Sequence, residues 1–371
     1  MNDHPVAGHP LPQQVEAKRR FPLRLVLLPG ADSARNPWWV VLISMILALI
    51  VCGIFIAMNG MNPLIVYKKM VTGAFGSSYG LSETLVKAIP LLLCGIGVSI
   101  AYRISFWNIG AEGQFAAGAI AATAVTIYFP SLPMYFSIPL MALFGILAGG
   151  LWGLLTALPR IYFRVNELIT SLMLNYVALL ALDYVVFGPW RDPEGFNFPG
   201  TPVFTAAQSL PVLGSTRLHA GLIIGLVAAA LYAITIRYTK WGYELRVIGA
   251  NPEAAKHAGM PLSKHILLVM LISGGLAGIA GMSEVSGVTH RLMYGISPGY
   301  GYTAIIVAWL AKLNPIGLVV SSVLFGGLIV GGYSVQTIGL PSSISNMLQG
   351  AILFFLIAGG FIGRLRLRRN V

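Results

Sequence analysis

Trp38-Trp-Val-Val-Leu-Ile-Ser-Met-Ile-Leu-Ala-Leu-Ile-Val-Cys-Gly-Ile-Phe-Ile-Ala-Met58 runs for 21 residues without one charged side chain. Coiled as a helix at about 1.5 Å per residue, it matches the roughly 30 Å hydrocarbon core of a bilayer. In lipid every backbone N–H and C=O needs an internal partner, and a helix supplies one within its own segment. The run is too long, and lies too far from the start, to be the core of a signal peptide.

Nine further apolar runs follow, bounded by charge, Pro or Gly. They lie at 85–103, 110–129, 134–158, 168–187, 219–237, 265–284, 302–312, 316–333 and 345–363. Barrel strands are about ten residues of alternating polarity, so these runs predict helices. The composition agrees: 56% of the 371 residues are hydrophobic and 10% charged, where soluble domains carry about 25% charged residues. An all-α polytopic membrane protein with about ten transmembrane helices is expected. Residues 1–36 read as a cytoplasmic tail, 37–364 as the membrane domain and 365–371 as a basic cytoplasmic tail. Within the domain, 188–218 reads as an extracytoplasmic loop and 238–264 as a cytoplasmic one.

The net charge of +12 would suggest nucleic acid in a soluble chain. With the amino terminus inside and a change of side at each span, 18 of the 24 Lys and Arg fall on the cytoplasmic side. That is the positive-inside bias, with both termini cytoplasmic. The excess is topology, and no nucleic-acid partner is expected. Cys52 and Cys94 sit in apolar runs and suggest no disulfide framework. Gly145-x-x-x-Gly149, Gly274-x-x-x-Gly278 and Gly327-x-x-x-Gly331 each place small residues on one helix face, as close helix packing in membranes requires.

Three segments carry more. In Gly249-Ala-Asn-Pro-Glu-Ala-Ala-Lys-His-Ala-Gly-Met260, Asn251 suits an N-cap and Pro252 the first helical position. Glu253 complements the positive end of the dipole, and Gly259 suits the left-handed position past the end. A two-turn helix is expected, with Ala254, Ala255 and Ala258 exposing a flat surface. It is either a docking helix for a cytoplasmic partner or an ordinary link between spans.

Ser105-Phe-Trp-Asn-Ile-Gly-Ala-Glu-Gly-Gln-Phe115 interrupts the apolar pattern with Asn108, Glu112 and Gln114. It is either a broken helix lining a cavity or a cytoplasmic turn with Glu112 solvated and paired to Arg103. Ser297-Pro-Gly-Tyr-Gly-Tyr-Thr-Ala-Ile-Ile-Val-Ala308 gives a second Gly-interrupted start. Matching Gly113 with Gly301 aligns the two and suggests a two-half repeat. Tyr300, Tyr302 and Trp309 are candidates for stacking on a planar solute, although aromatic residues also gather at membrane interfaces.

The Asn108-Ile-Gly-Ala-Glu-Gly-Gln114 run resembles the signature of permease subunits of ABC importers for simple sugars, branched-chain amino acids and nucleosides. Gly249–Gly259 resembles that family's coupling helix, which docks on the ATPase. Asn166-Glu-Leu-Ile-Thr-Ser-Leu-Met-Leu-Asn-Tyr176, Gly188-Pro-Trp-Arg-Asp-Pro193, Thr216-Arg-Leu-His219 and Ser297-Pro-Gly-Tyr-Gly301 are similar to the nucleoside branch, served by basic-membrane-protein-type lipoproteins. The resemblance runs from about residue 85 to 360.

It implies a type II ABC importer-like permease fold in the bacterial cytoplasmic membrane, paired with a second, homologous permease as a heterodimer. It further implies a cytoplasmic ABC ATPase holding ATP-Mg, and an extracytoplasmic solute-binding lipoprotein. Asn251, Pro252, Glu253, Ala254, Ala255 and Gly259 carry over as coupling residues. Asn108, Glu112, Gln114 and Tyr302 carry over as pathway or scaffold residues.

The chain has no G-x-x-x-x-G-K-[ST] phosphate loop, so ATP is expected on a partner and no cofactor on this chain. It has no H-E-x-x-H, and its two G-x-S-x-G matches, Gly76–Gly80 and Gly295–Gly299, lack the strand that a nucleophile elbow needs in a chain read as all-helical, which argues against an enzyme and a metal site. A proton-driven carrier would place titratable groups deep in its spans. Glu112, Glu167, Asp183 and Glu284 all fall near expected span ends. In the outer loop, Trp190, Arg191, Asp192 and Glu194 form the candidate landing surface for a binding protein; the alternative is a solvated loop with local ion pairs.

Overall fold

The computed structural model describes residues 23–27, 38–196, 198–214, 216–362 and 365–369. The tails expected at 1–36 and 365–371 lie outside these residues, save for an antiparallel ribbon pairing Leu23–Leu27 with Leu365–Arg369. Everything else of regular structure is helical. The helices are α1 (Trp38–Met58), α2 (Pro63–Phe75), α3 (Ser78–Arg103), α4 (Ala111–Tyr128), α5 (Met134–Phe163), α6 (Glu167–Phe187) and α7 (Gly221–Tyr238). Then come α8 (Lys240–Ala250), α9 (Pro252–His257), α10 (Leu262–Glu284), α11 (Tyr300–Leu310), α12 (Pro315–Ser334) and α13 (Ser343–Ile362).

All ten expected runs lie on helices, but their capacity to cross a membrane differs. Among the described residues six helices are long and apolar enough to cross, or seven if α1 and α2, bent by 116°, form one broken span. The expected count of ten is therefore not reached on length and composition. Helix α4 carries Glu112 and Gln114 among its 18 residues, and α11 has only 11 residues. At about 1.5 Å per residue, α11 covers roughly half a bilayer core.

Besides α9, which its capping residues predict, two helices have no counterpart among the expected runs. Lys68 and Lys69 break the hydropathy of α2. Helix α8 lies in the segment expected as a loop. Three helices begin in the same way, with an Asn before a Pro. Asn62, Asn251 and Asn314 each accept a hydrogen bond from a first-turn amide of α2, α9 and α12, and the following Pro has no N–H to satisfy.

Helix α3 is the axis of the fold, with 89% of its apolar window buried against α7, α10, α11 and α12. Its neighbour α10 packs on α5 through the glycines expected to do so. A Cβ on Gly149 would stand 2.8 Å from Gly278 Cα, and one on Gly278 would stand 3.2 Å from Gly149 Cα, so the two backbones touch. The third motif packs differently, with Gly327 against the Phe75 ring and Gly331 against Met70 of α2. Helices α5, α6 and α7 bury only 28% of their apolar windows and turn the rest outward.

Candidate functional site

Helices α4 and α11 start inside the protein and meet at their amino ends. Chain breaks lead into both. After α3 the chain passes through Ser105 (φ 57°) to reach α4. After α10 it forms a π-helical turn, Val285–Thr289, then passes His290 (φ 51°) and Gly299 (φ 96°) to reach α11. A helix start buried away from water leaves amides without partners, and here side chains supply them. Asn108 Oδ1 accepts from Gly110 N (2.9 Å), and Asn175 Oδ1 accepts from Gly113 N (2.8 Å). On the other helix, Ser297 Oγ accepts from Tyr300 N (3.0 Å), and Glu112 Oε2 accepts from Gly301 N (2.7 Å).

Gly301 is required by this approach. A Cβ there would lie 2.6 Å from Glu112 Cα and 2.7 Å from Ala111 C. The two interrupted starts aligned in the sequence are thus in direct contact. Glu112 is 3% exposed. It is neither solvated nor paired with Arg103, which instead donates to Tyr232 Oη (3.0 Å) and the Leu313 carbonyl (2.8 Å).

A polar net extends from this junction. Asn108 Nδ2 donates to Gln114 Oε1 (3.0 Å) and to Ser273 Oγ of α10 (2.9 Å). Asn175 of α6 donates to the Ile109 carbonyl (2.9 Å) and Tyr302 Oη (3.2 Å). Asn108, Gln114 and Asn175 are fully buried, so they hold the broken helices in place, with Tyr302 half-buried at the edge. Neither Asn175 nor Ser273 stands among the expected site residues. A lone Asn in the apolar run of α6 was the available signal.

A second cluster joins α3, α10 and α11. Lys87 Nζ lies 3.1 Å from Glu284 Oε1 and donates to Tyr300 Oη at 2.8 Å, while Tyr300 Oη donates to Glu284 Oε1 at 3.2 Å. Glu284 is 2% exposed and Tyr300 fully buried. This corrects one expectation, since Tyr300 has no free ring face for a solute. Glu112 and Glu284 stand near helix ends as expected, in the first turn of α4 and at the last residue of α10, and both are buried. Trp309 remains half-open and packs with Trp107 (5.7 Å) and Tyr102 (6.1 Å).

Helix α9 stands at the opposite end of α10 from Glu284. Asn251 Oδ1 accepts from Ala254 N (3.0 Å). The helix closes in a Schellman turn, with Met260 N donating to Ala255 O and Gly259 N to Lys256 O, both at 3.0 Å, and Gly259 at φ 78°. Ala255 faces inward and is fully buried, so it is no part of the flat surface expected. Pro252, Glu253, Ala254, Lys256, His257 and Ala258 make the exposed face.

The 188–218 segment folds back on the π-helical turn. Phe204 N donates to His290 O (2.7 Å), Leu210 N to Ser286 O (3.0 Å), and Arg217 pairs with Glu83 at 3.4 Å. Trp190 is half-buried and packs edge-on to Tyr128, so it is not an open anchor. Arg191, Asp192, Pro193, Glu194 and Phe196 line an open depression of about 940 Å³.

Buried broken helices, glycine-mediated packing and an outward apolar girdle define a multi-pass membrane permease. The chain belongs to the branched-chain amino acid transport system / permease component family, whose model matches residues 80–357. It is a permease subunit of an ABC importer. It is 34% identical to the glucose ABC transporter permease protein TsgB13 of Haloferax volcanii, covering 87% of this chain and 88% of that one. It is 33% identical to the guanosine ABC transporter permease protein NupP of Bacillus subtilis, covering 85% and 91%. To NupQ, a second guanosine permease protein of that organism, it is 27% identical over 76% and 91%. Among solved structures, PsaBC from Streptococcus pneumoniae in complex with Fab matches with a TM-score of 0.42 and 13% identity, covering 79% and 95%.

Proposed function

We propose that this chain is one of two homologous permeases in an ATP-driven importer of a nucleoside in the bacterial cytoplasmic membrane. The guanosine relative carries the reading of the cargo. The glucose relative favours a second reading, the same machinery working on a simple sugar. The pair NupP and NupQ in one organism supports a heterodimer.

In this reading α9 is the coupling helix on the cytoplasmic side and docks on an ABC ATPase that holds ATP-Mg. The termini are then cytoplasmic. The depression at Arg191, Asp192 and Glu194 faces outward and receives a solute-binding lipoprotein, whose charged rim it can match.

Uptake into cells carrying the whole importer tests the reading. Labelled guanosine should enter and be displaced by other nucleosides but not by glucose; the reverse order would establish the sugar reading. Entry should survive a protonophore while ATP is held constant. Collapse under that condition would mean proton coupling instead.

A further inference from the structure

The loop after α6 is built of two turns in succession. Asp192-Pro-Glu-Gly195 has the residues of a type I turn, with Asp first, Pro second and Gly last. Gly195 N donates to Asp192 O (3.3 Å), and Glu194 N donates to Asp192 Oδ1 (3.0 Å). The next turn closes where Phe198 N donates to Gly195 O at 2.7 Å. The base of the loop is tied to the body of the protein. Asp192 N donates to Gly200 O (2.9 Å), and Gly200 is bridged to Met293 in the chain between α10 and α11.

Phe196 stands in the second turn at φ 46°. That is left-handed backbone, where Gly, Asn and Asp are at home and a bulky side chain is an outlier. Its ring is 102% exposed, so no contact among the described residues offsets that strain or shelters the apolar surface. Phe198, two residues on, shows the contrast, because the Arg291 guanidinium stands 5.0 Å from its ring centroid. Asn or Gly at position 196 would hold the same turn with less strain. The ring therefore needs a partner outside this chain.

Its surroundings give the chemistry of that partner. Phe196 lines the open depression with Arg191, Asp192, Pro193 and Glu194, and Arg191 and Glu194 are exposed. A prominent ring among charges of both signs has the make-up of a protein-binding surface, in which an aromatic anchor fills a pocket and a polar rim surrounds it. A bilayer surface would accept the ring, but its anionic headgroups would repel Asp192 and Glu194. Trp190, the aromatic residue expected to anchor a binding protein, is instead half-buried against Tyr128.

We propose that Phe196 is the aromatic anchor by which this permease holds its solute-binding protein. The proposal rests on the reading of the depression as that protein's landing surface. The ring enters an apolar slot on the partner, and the charges of Arg191, Asp192 and Glu194 set its orientation. Both turns are closed by hydrogen bonds, so the backbone that carries the ring is in place before the partner arrives, and little freedom is lost on docking.

The test is the affinity of the intact transporter, in lipid nanodiscs, for the importer's own binding protein purified without its lipid anchor. Phe196→Ala and Phe196→Asn should each weaken binding about tenfold or more, and Phe196→Tyr by no more than about threefold. Phe196→Asn should also unfold at the wild-type temperature or above it, because Asn suits φ 46°. Wild-type affinity in both Phe196→Ala and Phe196→Asn would overturn the proposal. A lower unfolding temperature in Phe196→Asn would overturn it too, by making the ring a support of its own loop. So would loss of the second permease from either variant, which would place the ring between permeases.

The landing-surface reading is judged separately, by the double charge reversal Arg191→Glu with Glu194→Lys. Weakened binding in that variant, with wild-type affinity in the Phe196 variants, would keep the surface and remove the anchor. Wild-type affinity in all of them would remove both.

Discussion

The Gly301 amide donates to the Glu112 carboxylate at 2.7 Å, across 189 positions of sequence, and so fastens the start of one half-length helix to the start of another. Replacing Glu112 by Ala leaves a buried N–H without an acceptor, which costs about 1–3 kcal/mol. Glu112→Gln keeps an oxygen in place and should lose less. Thermal unfolding of the purified protein should rank wild type above E112Q above E112A. Coincident midpoints for wild type and E112A would mean that the carboxylate does not hold the junction.

The Lys87–Glu284 pair makes a non-additive prediction. Removing one partner leaves a buried charge uncompensated and costs about 3–5 kcal/mol, whereas replacing both by apolar residues of similar volume is often neutral or stabilising. Lys87→Met and Glu284→Met should each lower the yield of folded protein. The double variant should recover most of it. A double variant worse than either single one would show that the charges are needed individually.

Contact of α5 with α10 depends on the absence of side chains. Gly278→Leu must push the helices apart, because even a Cβ meets the α5 backbone. Overpacking of this kind costs typically 1–3 kcal/mol or more. Gly350, which has nothing within 4 Å of a Cβ, is the control, and Gly350→Ala should unfold with the wild type. The comparison is made by thermal unfolding in detergent.

Exposed Glu253 and buried Ala255 of α9 should separate function from folding. Glu253→Lys should leave the protein inserted and stable while solute-stimulated ATP hydrolysis is lost. Ala255→Trp, at a fully buried position, should instead lower stability itself. Unchanged stimulated hydrolysis in Glu253→Lys would remove this face from the coupling interface.

Local signals were legible and long-range ones were not. Every apolar run became a helix, and Asn251, Pro252 and Gly259 stand in the capping roles that their chemistry predicts. The alignment of Gly113 with Gly301 found the two broken helices. Their contact was hidden, because nothing local tells Glu112 that its partner is an amide 189 residues away. Without that partner, Arg103 looked as good. Tyr300 looked like a stacking platform for the same reason, since its hydroxyl is bound by Lys87 and Glu284 from two other helices. Helix α2 was lost to its two lysines, and the inward turn of Ala255 to the indifference of alanine to either environment.

The meeting of α4 and α11 also has an electrical consequence. Each helix start carries about half a positive charge from its aligned peptide dipoles, so two starts brought together amount to about one. One carboxylate, that of Glu112, offsets them. Opposite charge set against the two helix starts lets them lie together away from water, so that a break in two helices is tolerated in the middle of the fold.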